Sequence, residues 1–419
     1  MTPVKTAFAV LCCAATLCGR AQTDTNEPPR EWIDTDTGHR VLRLSAEPGS
    51  ESFYFNVNPF TPDGKKMAFT APSGIYALDL TTHEVTPVVA GKRLRVLEVG
   101  RKTGQVYYNQ GTNVFAADLT TKAVKLVAAL PRGSHAVAVN CDETVIAGTT
   151  TLDPEAIKRE ESREKEASNL DSERKSKAKN IEERFDQRTE MELFCRNLAT
   201  GETKSFDRCH DWLNHLQFSP TDPTLLLFAH EGPWHKVDRV WLVHSDGTGL
   251  MLVHQRRMIM EIAGHEFWSH DGSTVWYDLQ TPRGEDFWLG GYNVLNGTRT
   301  QYHLQRNEWS VHYNISPDGT LFSGDGGGPG MVAHADNGKW IYLFHPEMNT
   351  DDMGTNLDKS ALVHTGVFRS ERLVNMAEHD YSLEPNATFT PDMKWLVFRS
   401  NMSGTNYVYA VEVNKATAK

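Results

Sequence analysis

Three histidines stand in stretches of matching design: Trp212-Leu213-Asn214-His215-Leu216, Gly264-His265-Glu266-Phe267-Trp268 and Trp309-Ser310-Val311-His312-Tyr313-Asn314. Each stretch runs into a short marker: Ser219-Pro220-Thr221-Asp222, Ser269-His270-Asp271-Gly272 and Ser316-Pro317-Asp318-Gly319. A fourth stretch carries Tyr381, Glu384 and Asn386 and runs into Thr390-Pro391-Asp392-Met393. An imidazole exchanges protons near neutral pH and ligates metals, and carboxylate and amide oxygens ligate hard cations. A lone histidine of this kind reads most simply as a core or surface residue. Four proton- or metal-competent positions in one phase of a repeat point instead to a shared site. Arg239, in Asp238-Arg239-Val240-Trp241, follows Phe228-Ala229-His230-Glu231-Gly232-Pro233 closely. Its guanidinium fork suits a carboxylate held by two parallel hydrogen bonds. The plainer reading pairs it with Asp238 or Glu231.

Side chains so far apart need elements that gather them, and the chain supplies a repeat. The first full unit starts at Thr61-Pro62-Asp63-Gly64, runs as strands over 66–70 and 74–80, turns at Thr81-Thr82-His83-Glu84, and ends on 85–89. The second repeats this at 104–108, 113–119 and 123–127. Strand, strand, turn, strand at a period of about 40 residues is the pattern of a propeller blade. Further units start near Asn140, Ser219, His270, Ser316 and Thr390, which makes seven. The last unit lacks its outermost strand, while 41–44 alternates like a strand with no blade of its own. Pairing these two closes the ring and removes the exposed edges of an open array. The expected fold is therefore all-β, a seven-bladed β-propeller over 39–419 closed by an N-terminal strand that completes the last blade. Ligands of such a ring meet loops and inner-strand ends at one mouth of the central channel. An insertion at about 153–190, dense in Glu, Lys and Arg, interrupts the third unit. It reads as a solvated helical excursion on the rim, or as a flap whose cations meet an anionic ligand.

A formal charge of -11 over 419 residues argues against nucleic-acid binding, which needs a basic surface. Residues 1–21 combine Lys5, an apolar run over 7–17 and small residues at the end, which reads as a secretory signal. A periplasmic or secreted location is expected, with residues 22–38 as a flexible leader. Leu17, before Cys18, is too large for a lipobox, which disfavours a lipoprotein. Cys141, Cys195 and Cys209 remain after the signal; their spacing matches no zinc pattern, so buried or free thiols are expected. No later stretch approaches the roughly 20 apolar residues of a membrane span.

Phe228 to Pro233, the Arg239 stretch and His265-Glu266-Phe267-Trp268 resemble motifs of the oligogalacturonate lyase family, as does the glycine turn Gly324-Asp325-Gly326. The resemblance covers nearly all of the mature chain and is densest over 212–276. It implies a seven-bladed propeller that cleaves an acidic oligosaccharide, oligogalacturonate or a related uronate, by metal-assisted β-elimination. On that basis His265 is the general base and Arg239 stabilises developing charge. His215, His230, Arg239 and Tyr381 would contact substrate. His312 matches a metal ligand of the family, whose members use manganese. At the last blade the family presents a glutamine and two histidines, whereas this chain presents Tyr381, Glu384 and Asn386. The expected metal ligands are thus His312, Glu384 and Asn386, a set suited to Mn2+, with Ca2+ or Mg2+ also compatible. Two other readings stay open from the residues alone: a non-catalytic periplasmic propeller that binds or scaffolds, and a glycoside hydrolase, which would call for paired carboxylates such as Glu266 and Glu384.

Overall fold

The repeat marker has a local physical cause. In Thr61-Pro62-Asp63-Gly64 the Asp63 carboxylate accepts the Thr61 hydroxyl at 2.6 Å and the Lys65 amide at 3.1 Å. The same closure recurs at Ser269 and Asp271, at Ser316 and Asp318, and at Thr390 and Asp392. Each marker is a side-chain-locked turn between the innermost strand of a blade and the next strand. A second family of turns, at Asp79, Asp118, Asn197 and Asn293, lets one side-chain oxygen accept two following amides.

The computed structural model describes residues 27–166, 177–350 and 362–415. The expected signal at 1–21 lies outside them. Strands between the turns form antiparallel blades. The fourth blade, for example, runs Trp212–Phe218, Leu225–Glu231, Val240–His244 and Met251–Leu252, from channel to rim. The first blade has an irregular inner edge, held by single bridges Glu51 to Thr70 and Phe60 to Met67. The fifth and sixth blades join at the rim, where Arg299–Leu304 pairs in parallel with Val363–Asn375. Central strands such as Lys66–Ala71 are buried on both sides, because each blade packs between two others.

Seven apolar clusters fill the seven inter-blade gaps among the described residues. One of them joins Phe60, Met67 and Phe69 of the first blade to Val397 and Val408 of the last, so the ring is closed. The expected closure is found: Arg40–Arg43 pairs with Tyr407–Glu412 in the register Val41 to Val411. Of the flexible leader expected over 22–38, residues 27–38 are described, and these are tied to the ring. Glu31–Ile33 adds a further strand outside Arg40–Arg43, and Asp34 accepts the Asn375 amide at 2.9 Å. The insertion forms two helices, Pro154–Glu166 and Lys177–Gln187. Ion pairs Lys236 to Glu182 at 3.0 Å and Arg188 to Asp211 at 2.8 Å tie the second helix and its exit to the fourth blade. Among the described residues no helix is long and apolar enough to cross a membrane.

Candidate active site

A cavity of about 710 Å³ runs along the ring axis. Its wall includes His215, Glu231, Trp234, Arg239, His265, Glu384 and Tyr54. The backbone explains why two histidines of successive blades turn inward. The innermost strands of the fourth and fifth blades slip register between Asn214 and Gln217 and between Gly264 and Phe267. His215 and His265 occupy those bulges with φ of 53° and 45°. A bulge breaks the strict alternation of a strand and re-aims a side chain, at a cost in backbone strain. Asn386 of the last blade has a similar φ of 55°.

His265 is 8% exposed and its ring centre lies 4.5 Å from that of His312. Asp278, 1% exposed, places Oδ2 3.4 Å from His265 Nδ1. The contact is long and misaligned, so neither Nδ1 nor the Asp278 carboxylate makes a hydrogen bond. Burial pushes the His265 pKa below the ordinary imidazole value, against the pull of Asp278 and with a further push from His312. The ring is therefore neutral at neutral pH, with Nδ1 facing a carboxylate and Nε2 left for chemistry. Trp234 stands edge-on to this ring at 4.8 Å. A side chain on Gly264 would meet the Trp234 ring at 2.7 Å, so the indole's seat needs glycine there.

Arg239 is 2% exposed. Its Nε donates to Glu266 Oε2 at 3.2 Å and Nη1 to Glu231 Oε1 at 3.5 Å, which leaves Nη2 without an acceptor among the described residues. Burial opposes its charge, but Glu266 and Glu231 overcome that and hold it protonated. Burial likewise opposes ionisation of Glu231, and His215 and Arg239 prevail, with Asn214 donating at 2.7 Å. Arg239 also lies under Trp234, its guanidinium carbon 4.8 Å from the ring centre. The result is a rigid cation beside a neutral imidazole.

His312 sits behind this wall, 1% exposed, with Asp325 accepting from Nδ1 at 2.8 Å and from the His312 backbone amide at 2.8 Å. Its Nε2 meets the Tyr54 hydroxyl at 3.2 Å and lies 3.9 Å from Glu384 Oε2. A carboxylate on the far nitrogen of an imidazole is the arrangement that orients a metal-ligating histidine. His312 and Glu384 therefore offer the nitrogen and oxygen donors that a hard or borderline divalent ion would take.

Three expected site residues are not brought there. Asn386 spends its amide on the scaffold: Oδ1 accepts from the Phe55 amide at 3.1 Å and Nδ2 donates to the Glu384 carbonyl at 2.9 Å. It is a brace for its neighbour Glu384, not a ligand. Tyr381 donates its hydroxyl to the Asp325 carbonyl at 3.0 Å and faces away from the cavity. His230 lies on the side of its strand opposite Glu231, between Asp207 at 3.2 Å and Asp211 at 3.1 Å. Burial there works against its charge, yet the Asp207 and Asp211 carboxylates beside its two nitrogens push its pKa up to about 11. It takes no part in the cavity wall.

Sequence reasoning passed over Tyr54, Trp234, Asp278 and Asp325. Tyr54 lies further before the first marker than the histidines lie before theirs, so the phase of the repeat does not flag it. Asp278 was legible as a lone acid inside the apolar strand Thr274–Gln280.

A profile for oligogalacturonate lyase matches residues 30–417. The oligogalacturonide lyase of Pectobacterium atrosepticum is 26% identical over 404 residues, spanning 91% of this chain and 95% of that one. The oligogalacturonate lyase of Dickeya dadantii is 24% identical over the same span. A solved oligogalacturonate lyase in complex with manganese shares the fold, with a TM-score of 0.71 at 23% identity, covering 92% of this chain and 96% of that one. A match over nearly the whole described ring settles the affiliation: the chain belongs to the oligogalacturonate lyase family, a family of carbon–oxygen lyases.

Proposed function

We propose that this protein cleaves oligogalacturonate, or a related uronate oligosaccharide, by β-elimination in the axial cavity. The observation that carries this reading is the pairing of two imidazoles with carboxylates beside Nδ1, His265 in the cavity wall with Arg239 and His312 just behind it, with ring centres 4.5 Å apart. In β-elimination the C5 proton of a uronate leaves, a double bond forms between C4 and C5, and the C4–O bond breaks with its electron pair on the departing oxygen, which takes up a proton from solvent. His265 takes the proton on Nε2, and Asp278 stabilises the imidazolium that results. Arg239 holds the uronate carboxylate and offsets the charge that develops on it. Trp234 and Tyr54 shape the wall against the sugar ring and keep water from the base. A divalent ion held by His312 and Glu384 would neutralise that same carboxylate and so acidify C5. Manganese suits this nitrogen and oxygen pair, and a periplasmic or secreted location follows from the signal-like start of the chain.

The test is spectrophotometric. Purified protein, Mn2+ and oligogalacturonate should produce the ultraviolet absorbance of a 4,5-unsaturated uronate, and His265→Ala should abolish it. New reducing ends without absorbance would mean hydrolysis and would overturn the proposal. Fractionation of expressing cells checks the location.

A further inference from the structure

The strand Leu225–Glu231 turns Glu231 into the cavity and His230 out of it, toward the last strand of the third blade. There Asp207, Cys209 and His230 bring one oxygen, one sulfur and one nitrogen within 4.8 Å of one another. Asp207 and Cys209 both lie at the end of the strand Thr203–Cys209. The register shifts between Phe206 and Cys209, opposite Leu193 and Met191, so the extra residue lies on this strand, and Asp207 takes a left-handed φ of 51° there that re-aims its side chain. Asp207 Oδ2 lies 3.2 Å from His230 Nε2, yet it is buried and makes no aligned hydrogen bond.

We infer that Asp207, Cys209 and His230 form a binding site for a divalent transition metal of the zinc type, separate from the axial cavity. The donor chemistry selects the ion. A thiolate and an imidazole with one carboxylate favour a borderline-soft cation over calcium or magnesium. Bonds of about 2.0 to 2.3 Å to a tetrahedral ion put ligand atoms roughly 3.3 to 3.7 Å apart, and the present 3.2 Å separation of Nε2 and Oδ2 is close to that. Asp211 Oδ2, 3.1 Å from Nδ1, supplies the outer carboxylate that fixes the ring of a ligating histidine. Binding displaces the proton on Nε2 and the thiol proton of Cys209, both released to solvent. Asp211 also pairs with Arg188 just past the insertion's second helix, whose Ile181 and Arg184 line the cavity. The ion thus pins the insertion, the third blade and the fourth blade at one point beside the cavity mouth.

The test uses the full chain stripped with a chelator and titrated with Co2+ alone, read by absorbance. One equivalent should raise a thiolate-to-cobalt charge-transfer band, and Zn2+ should displace it. Among the described residues no cysteine lines the cavity, so a thiolate band reports this site and not the axial one. Cys209→Ser should remove the band and Cys141→Ser should keep it. Asp207→Asn, which retains the thiol, should weaken Zn2+ binding at least tenfold and covers the case in which Cys209→Ser does not fold. No band in the wild-type protein, or a band that survives Cys209→Ser, would overturn the inference. Either result leaves the elimination chemistry untouched, since none of these residues enters it.

Discussion

Asp278→Asn separates catalysis from folding more sharply than any other single change in the site. The carboxylate lies 3.4 Å from His265 Nδ1 and accepts no hydrogen bond. A unit charge at that distance acts on an imidazolium by about 5 kcal/mol at an effective dielectric of about 20. With the proton about half transferred in the transition state, about 2.5 kcal/mol is lost, on the order of a 10²-fold drop in kcat. The sign on pH is also fixed. Asp278 raises the His265 pKa while burial and His312 lower it. Removing the charge therefore moves the acid limb of kcat/KM to still lower pH, although the plateau falls. Stability should move the other way. A buried carboxylate without a hydrogen bond carries a desolvation cost, so the neutral amide should leave Tm unchanged or raise it. Steady-state ultraviolet assays across pH, with a thermal melt of the same preparation, read all three quantities. A rate within threefold of wild type, or an acid limb that moves to higher pH, would refute the reasoning.

Other changes test the rest of the wall. Arg239→Met strands the buried Glu231 and Glu266 carboxylates and should cost about 3 to 5 kcal/mol in denaturant unfolding; Arg239→Lys should keep most of that stability while losing activity. Gly264→Ala drives a methyl into the Trp234 ring that borders His265. It should cut kcat/KM by about 10- to 100-fold, and unchanged kinetics would show that the indole has no part in the site. Tyr381→Phe should cost about 1 kcal/mol of stability with KM unmoved, because its hydroxyl serves the Asp325 carbonyl. A raised KM without loss of stability would restore Tyr381 to the substrate. Chelation should lower turnover and Mn2+ restore it, with Glu384→Gln needing at least about tenfold more Mn2+ for half-restoration; indifference of that variant would remove Glu384 from the ion.

Much of this fold was legible because its turns are local. Asp63, Asp271, Asp318 and Asp392 each close a marker with their own neighbours, so sequence alone reveals the period. The phase of His215, His265 and His312 was visible for the same reason. What sequence could not show is which face a residue takes. His230 and Glu231 are adjacent on a regular strand, so one faces the cavity and the other must face away. Motif matching treats them as one unit; strand geometry divides them. Tyr381 and Asn386 failed for a different reason. They lie in the loop that enters the last blade, and their partners, the Asp325 carbonyl and the Phe55 amide, are distant in sequence. Nothing local announces such bonds.

The last blade then shows how a residue can hold the shape of a site without entering it. Asn386 gives its side chain to Phe55 and to the Glu384 carbonyl, and its own amide to Asp325, at 3.1, 2.9 and 3.0 Å. Asp325 in turn clamps His312. One residue therefore braces both side chains fitted for the ion, Glu384 through its main chain and His312 through Asp325, without touching the ion itself. Asn386→Ala should accordingly cost about 2 to 3 kcal/mol, since it orphans the buried Phe55 amide and places alanine at a left-handed φ. It should also weaken Mn2+ affinity, because both donors lose their shared support. Loss of stability with Mn2+ affinity intact would mean that Glu384 and His312 hold their positions independently, and the brace would then be structural alone.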